Sequence, residues 1–137
     1  MQTQSILIVE DDPDVRAMLT RTLGCGGYVV HSAADGSEAL DKFRDNRFNL
    51  VITDVRLPRM NGLQLLGEIK QAEPHVPVIV ITGYGSVQNA VEAMQGGASD
   101  YLLKPFSNEA LQAAISRAGT LSIRTSAFSG RGSSSRL

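Results

Sequence analysis

A single cysteine, Cys25, stands among the 137 residues of this chain. That excludes an intramolecular disulfide and any cysteine-based zinc cluster, and it fits a cytoplasmic rather than a secreted protein. Charge of either sign is not in excess. Thirteen Lys and Arg against 14 Asp and Glu leave a formal net charge of −1. This balance provides no broad electropositive surface to neutralise a phosphate backbone, so nucleic-acid binding by this segment alone is not expected. The longest apolar runs fall far below the roughly 18 to 20 residues that cross a bilayer, and no membrane association is expected. Met1 to Ser5 form a short polar lead without an apolar stretch behind it, so no secretory signal is read there. His31 and His75 stand apart from other ligand-type residues, which argues for local hydrogen bonding rather than zinc binding. No internal repeat appears beyond the alternation described next.

With 42% hydrophobic residues the chain has enough apolar material for one core. Apolar runs at Ile6–Val9, Tyr28–Ser32, Leu50–Thr53, Val78–Ile81 and Tyr101–Leu103 alternate with helical patterns, which predicts an α/β domain with a mostly parallel sheet. The runs are continuous rather than alternating, as expected of strands covered on both faces. Asp12 caps the first expected helix with Pro13 at its first position, and Val15, Met18, Leu19, Thr22 and Leu23 form its core stripe until Gly24, Gly26 and Gly27 stop it. A second helix follows Asp35-Gly36 with Ala39, Leu40 and Phe43 inward. A third follows Asn61-Gly62 with Leu63, Leu66 and Ile69. Val87, Ala90, Val91 and Met94 mark the fourth, closed by Gly96-Gly97. Leu111, Ala114, Ile115 and Ala118 mark the fifth, after a Ser107 cap. From 121 to 137 the composition turns to Ser, Gly and Arg, too poor in apolar groups to offset the entropy of ordering, and a flexible tail or linker to an effector domain is expected there.

Polar groups end four of the five strand runs: Glu10 and Asp11, Asp54, Thr82, and Lys104 followed by Pro105. In an open parallel sheet, ligands bind outside the carboxyl ends of the strands where strand order reverses, so these groups converge. Gathered carboxylates repel one another unless a cation is bound, and oxygen ligands of this kind suit Mg²⁺. A carboxylate beside Mg²⁺ can accept a phosphoryl group as an acyl phosphate. The equatorial oxygens would then be neutralised by the metal, the Thr82 hydroxyl and the Lys104 ammonium. Taken singly, Thr82 is an ordinary strand end and Lys104 a surface charge; their coincidence with the acids makes the site.

The stretches I-L-I-V-E-D-D-P at 6–13, V-I-T-D-V-R-L-P-R-M-N-G at 51–62, V-I-V-I-T-G at 78–83 and G-A-S-D-Y-L-L-K-P-F at 97–106 resemble the receiver domain of two-component response regulators. The resemblance covers roughly residues 5 to 120, which divides the chain into a receiver domain at 1–120 and the tail at 121–137. It implies a flavodoxin-like five-stranded parallel sheet of order 2-1-3-4-5 with helices on both faces. It also implies phosphorylation of Asp54 by the phosphohistidine of a sensor histidine kinase. Asp11 and Asp54 would bind Mg²⁺ with the backbone carbonyl of Arg56, Glu10 would do so through water, and Asp12 would be a helix cap. Thr82 and Tyr101 would form a switch pair and Lys104 would contact the phosphate, with Lys104-Pro105 a cis peptide. Readout is expected on the face of the fourth helix, fifth strand and fifth helix, with the Tyr101 ring moving from exposed to buried and homodimerisation as the consequence. Arg56 and Tyr84 either flank the path of attacking water or are plain surface.

Two other readings compete. An aspartyl-phosphate hydrolase would carry a second Asp two residues after the nucleophile, where Arg56 stands. A flavin-binding module would need small and hydroxyl residues after the first strand, where Glu10, Asp11 and Asp12 would repel a phosphate.

Overall fold

Strands β1 (Ser5–Val9), β2 (Val29–Ala33), β3 (Leu50–Asp54), β4 (Val78–Thr82) and β5 (Asp100–Leu103) alternate with helices α1 (Pro13–Cys25), α2 (Gly36–Asp45), α3 (Gly62–Ala72), α4 (Val87–Gln95) and α5 (Asn108–Arg117). The structure is a computed structural model describing residues 4–83 and 87–119; the expected tail and Tyr84 lie outside them. All strand pairs are parallel, in the order β2-β1-β3-β4-β5. This is the flavodoxin-like arrangement the resemblance implied.

Period-two alternation sorts the strand residues onto the two faces. Leu7, Val9, Val51, Val78 and Val80 pack with Ala39, Leu40 and Phe43 of α2, Leu65, Leu66 and Ile69 of α3 and Ala93 of α4. Ile6, Ile8, Leu50, Ile52, Ile79 and Ile81 pack with Leu19 and Leu23 of α1 and Leu111, Ala114 and Ile115 of α5. The central strands are therefore apolar throughout because each face has its own helical layer.

Helix ends follow their capping chemistry. The Asp12 carboxylate accepts from the N–H groups of Asp14 and Val15 with Pro13 at the first turn, and Asn61 and Gln64 form a reciprocal capping box. Gly24 does not stop α1, which runs on to Cys25 before Gly26 and Gly27; Gly27 takes φ 93°. Three stripe residues are not core. Met18 is exposed, as are Val91 (42%) and Met94 (50%) on α4, where Ala93 is buried instead. Val91 lies about half a turn from Ala93, so the small side chain faces the sheet and the larger ones look outward. His31 packs edge-on against Phe48 and His75 is exposed.

Candidate functional site

Strand order reverses between β1 and β3, and the register there pairs Val9 with Thr53. The next residues, Glu10 and Asp54, consequently leave the sheet side by side. They open a cleft lined by Glu10, Asp11, Asp12, Asp54, Arg56, Gly83 and Lys104. Carboxylate oxygens of Glu10, Asp11 and Asp54 come within 4.8 Å of one another. Asp54 is almost wholly buried, and the backbone N–H of Arg56 donates to its Oδ1 at 3.1 Å.

Lys104 reaches the acids from the far side. Its N–H donates to Thr82 O at 2.8 Å, its peptide bond to Pro105 is cis, and its Nζ donates to Asp54 Oδ2 at 2.7 Å. The same ammonium lies 2.6 Å from Glu10 Oε1, a charge contact not aligned as a hydrogen bond. Burial alone would push the Lys104 pKa down. Its hydrogen bond to Asp54 and its close charge contacts with Asp54 and Glu10 outweigh that and raise it above the ordinary lysine value. Glu10 is fully buried, and burial pushes its pKa up to about 7 despite Lys104 and the Asp12 N–H, with the Asp54 charge adding to the rise.

These three acids fit a hard divalent cation by number, ligand type and mutual distance. Their commitments differ. Glu10 Oε2 already accepts from Asp12 N–H at 3.1 Å and Oε1 faces Lys104, while the Asp12 carboxylate caps α1. The Asp11 carboxylate, exposed at the cleft, has no hydrogen bond among the described residues.

Thr82 and Tyr101 do not line the cleft. Thr82 is fully buried at the end of β4, registered with Leu103. The Tyr101 ring, expected outside before any signal arrives, is instead half-buried against the layer that contains Ala93 and Val80, and its hydroxyl is buried without a hydrogen-bond partner among the described residues. The Arg56 side chain is exposed on the cleft rim.

Sequence reasoning missed two supports. Arg16 Nη1 donates to Glu10 O at 2.7 Å and fixes the bend after β1. Arg59, at φ 69°, pairs with Asp35. A basic residue one turn into α1 is a faint signal for the first; nothing local signals the second, which joins residues 24 apart.

The profile of the family described as "Response regulator receiver domain" matches residues 6–116. Among curated relatives, the chain is 46% identical over 112 residues to the response regulator protein FleR of Pseudomonas aeruginosa, covering 82% of this chain and 24% of that protein. It is 43% identical over 113 residues to the transcriptional regulatory protein ZraR of Klebsiella oxytoca, covering 82% and 26%. The chain thus spans about a quarter of the length of these relatives. Among solved structures, the chemotaxis protein CheY4 of Vibrio cholerae superposes with a TM-score of 0.81 at 33% identity, covering 85% of this chain and 99% of that one.

Proposed function

This chain belongs to the response regulator receiver domain family of phosphoacceptor signalling domains, and from that premise we propose that Asp54 is its phosphoacceptor, in a Mg²⁺-dependent reaction. The observation that carries the assignment is the buried Asp54 carboxylate held between the Arg56 N–H and the Lys104 ammonium, beside Glu10 and Asp11.

An Asp54 oxygen attacks the phosphorus of a phosphohistidine on a sensor histidine kinase. A P–O bond forms as the P–N bond breaks, and the electron pair leaves on the imidazole nitrogen. Asp11, Asp54 and the Arg56 carbonyl would hold Mg²⁺, with Glu10 acting through water, and the ion would supply neutralisation of charge on the transferring group. Lys104 leaves its pairing with Asp54 for a phosphoryl oxygen, and the Thr82 hydroxyl turns toward another. The protein is not a classical enzyme, although these same residues assist both gain and loss of its phosphoryl group.

Movement of Thr82 alters the place of Tyr101 and hence the surface of α4, β5 and α5. Exposed Val91, Met94 and Leu103 give that surface apolar contacts for a second copy of the domain. The greater length of the relatives supports an effector domain C-terminal to this segment in the whole protein. No described helix is long and apolar enough to cross a membrane, which is compatible with a cytoplasmic place of action. The hydrolase reading is weaker, since Arg56 offers no general acid where that chemistry needs one.

Acetyl phosphate and Mg²⁺ should load one base-labile phosphoryl group onto the protein and none onto Asp54→Asn. Equal labelling of that variant at the same rate would remove Asp54 from the role.

A further inference from the structure

The loop between β3 and α3 contains the one non-glycine residue with positive φ among the described residues, Arg59 at φ 69°. An L side chain reaches this region at a cost, so surrounding contacts must hold it there. The ends of the loop are fastened through the backbone: Val55 N–H donates to Ile81 O at 3.1 Å and Gly62 N–H to Val55 O at 2.8 Å. Its crest is fastened through a side chain. The Arg59 guanidinium, otherwise largely exposed, pairs with Asp35 Oδ2, while Asp35 Oδ1 accepts from Glu38 N–H at 2.7 Å and caps α2. Asp35 is itself buried, and at Gly36 a Cβ would run into the Met60 carbonyl, so loop and helix end are in backbone contact beside the pair.

We infer that Arg59 is a positioning residue for the metal site, with Asp35 as its anchor: the pair fixes the crest of the β3–α3 loop and so sets where Arg56 points its backbone groups. Resting on the Mg²⁺ reading above, the inference adds α2 as a structural support of that site. Arg56 N–H already orients Asp54 at 3.1 Å, and its carbonyl is the assigned metal ligand. Released from Asp35, Arg59 keeps the turn closed by Met60 N–H donating to Pro58 O at 2.8 Å but loses its side-chain anchor, and the four residues between it and Asp54 can relax.

Isothermal titration of Mg²⁺ and the amide resonance of Arg56 in metal-free protein test this on Arg59→Ala, Asp35→Asn and the double variant. Each single variant is expected to weaken Mg²⁺ binding by about threefold to tenfold, the double variant by no more than either alone, because one interaction is being removed. The Arg56 amide should shift in both without metal. Arg59→Lys should recover part of the affinity through a single donor in place of a fork. Asp35→Asn keeps an oxygen to cap α2 and decides the matter alone if Arg59→Ala does not fold. Unchanged Mg²⁺ affinity and an unmoved Arg56 amide, even with a lowered melting temperature, would reduce the pair to a stability contact and overturn the inference, as would additive losses. Wild-type protein that takes up no Mg²⁺ would instead defeat the metal reading, while the metal-free Arg56 shift would still report on the latch.

Discussion

Asp11 carries the one carboxylate of the cleft's acidic triad that the fold leaves uncommitted, and this sets an order of sensitivity among the neighbouring acids. Asp11→Asn should lower Mg²⁺ affinity about tenfold or more, Glu10→Gln less, and Asp12→Asn least. Titration of each variant checks the order, and Asp12 proving most sensitive would reverse the assignment. Asp12→Ala should act elsewhere, costing about 1 kcal/mol of stability through the lost cap of α1. Glu10 adds a pH dependence. Its folded pKa of about 7 lies above the ordinary 4.5, so its contribution to stability is complete below about pH 4.5 and is lost as pH rises through 7. In protein stripped of metal with EDTA, the melting temperature of wild type should therefore fall relative to Glu10→Gln across that window. Parallel pH profiles for the two would show that Glu10 stays ionised in the fold.

Within single elements, glycines fix how closely backbone can approach the site. A Cβ at Gly62, the first residue of α3, would drive into the Asp54 carbonyl, so Gly62→Ala must move either the helix start or the strand end. A loss of at least about 1–3 kcal/mol is expected by denaturant unfolding, with phosphorylation impaired in whatever remains folded. Helix α4 teaches the opposite lesson about pattern. Its apolar residues fit a helical stripe in sequence, yet Val91 and Met94 are exposed while Ala93 is buried. Periodicity reveals that a helix has an apolar side, but a small residue can take the inward position where the neighbouring layer comes close. On α2 and α5 the stripes matched the core, with bulky Leu40, Phe43, Leu111 and Ile115 buried beside small Ala39 and Ala114. Met94→Asp should weaken phosphorylation-dependent association while leaving the unfolding free energy within about 0.5 kcal/mol of wild type.

At the scale of the whole molecule, the parallel sheet covered on both faces and the convergence of Glu10, Asp11, Asp54 and Lys104 were legible from continuous apolar runs with polar ends, read against the rule for open parallel sheets, whereas the strand order came with the resemblance to receiver domains. What escaped was long-range and side-chain specific: the Asp35–Arg59 pair, the grip of Arg16 on Glu10 O, and the inward Tyr101 ring. None leaves a periodic or compositional trace. If several charge-assisted hydrogen bonds to a phosphoryl group contribute roughly 1.5 to 3 kcal/mol each, they can supply the roughly 5.5 kcal/mol that turns a 1:99 equilibrium to 99:1. Sedimentation with beryllofluoride should then show dimers, and bound mimic with neither association nor shifted α4 amides would exclude this route. The unpartnered Tyr101 hydroxyl also has an optical consequence. The chain has three tyrosines and no tryptophan, so no indole absorbs or emits over the phenol signal. The Tyr101 hydroxyl is buried without a hydrogen-bond partner among the described residues, so any displacement that wets it or gives it an acceptor must register in the ultraviolet difference spectrum. The unmodified protein thereby contains its own dye for following the switch in real time.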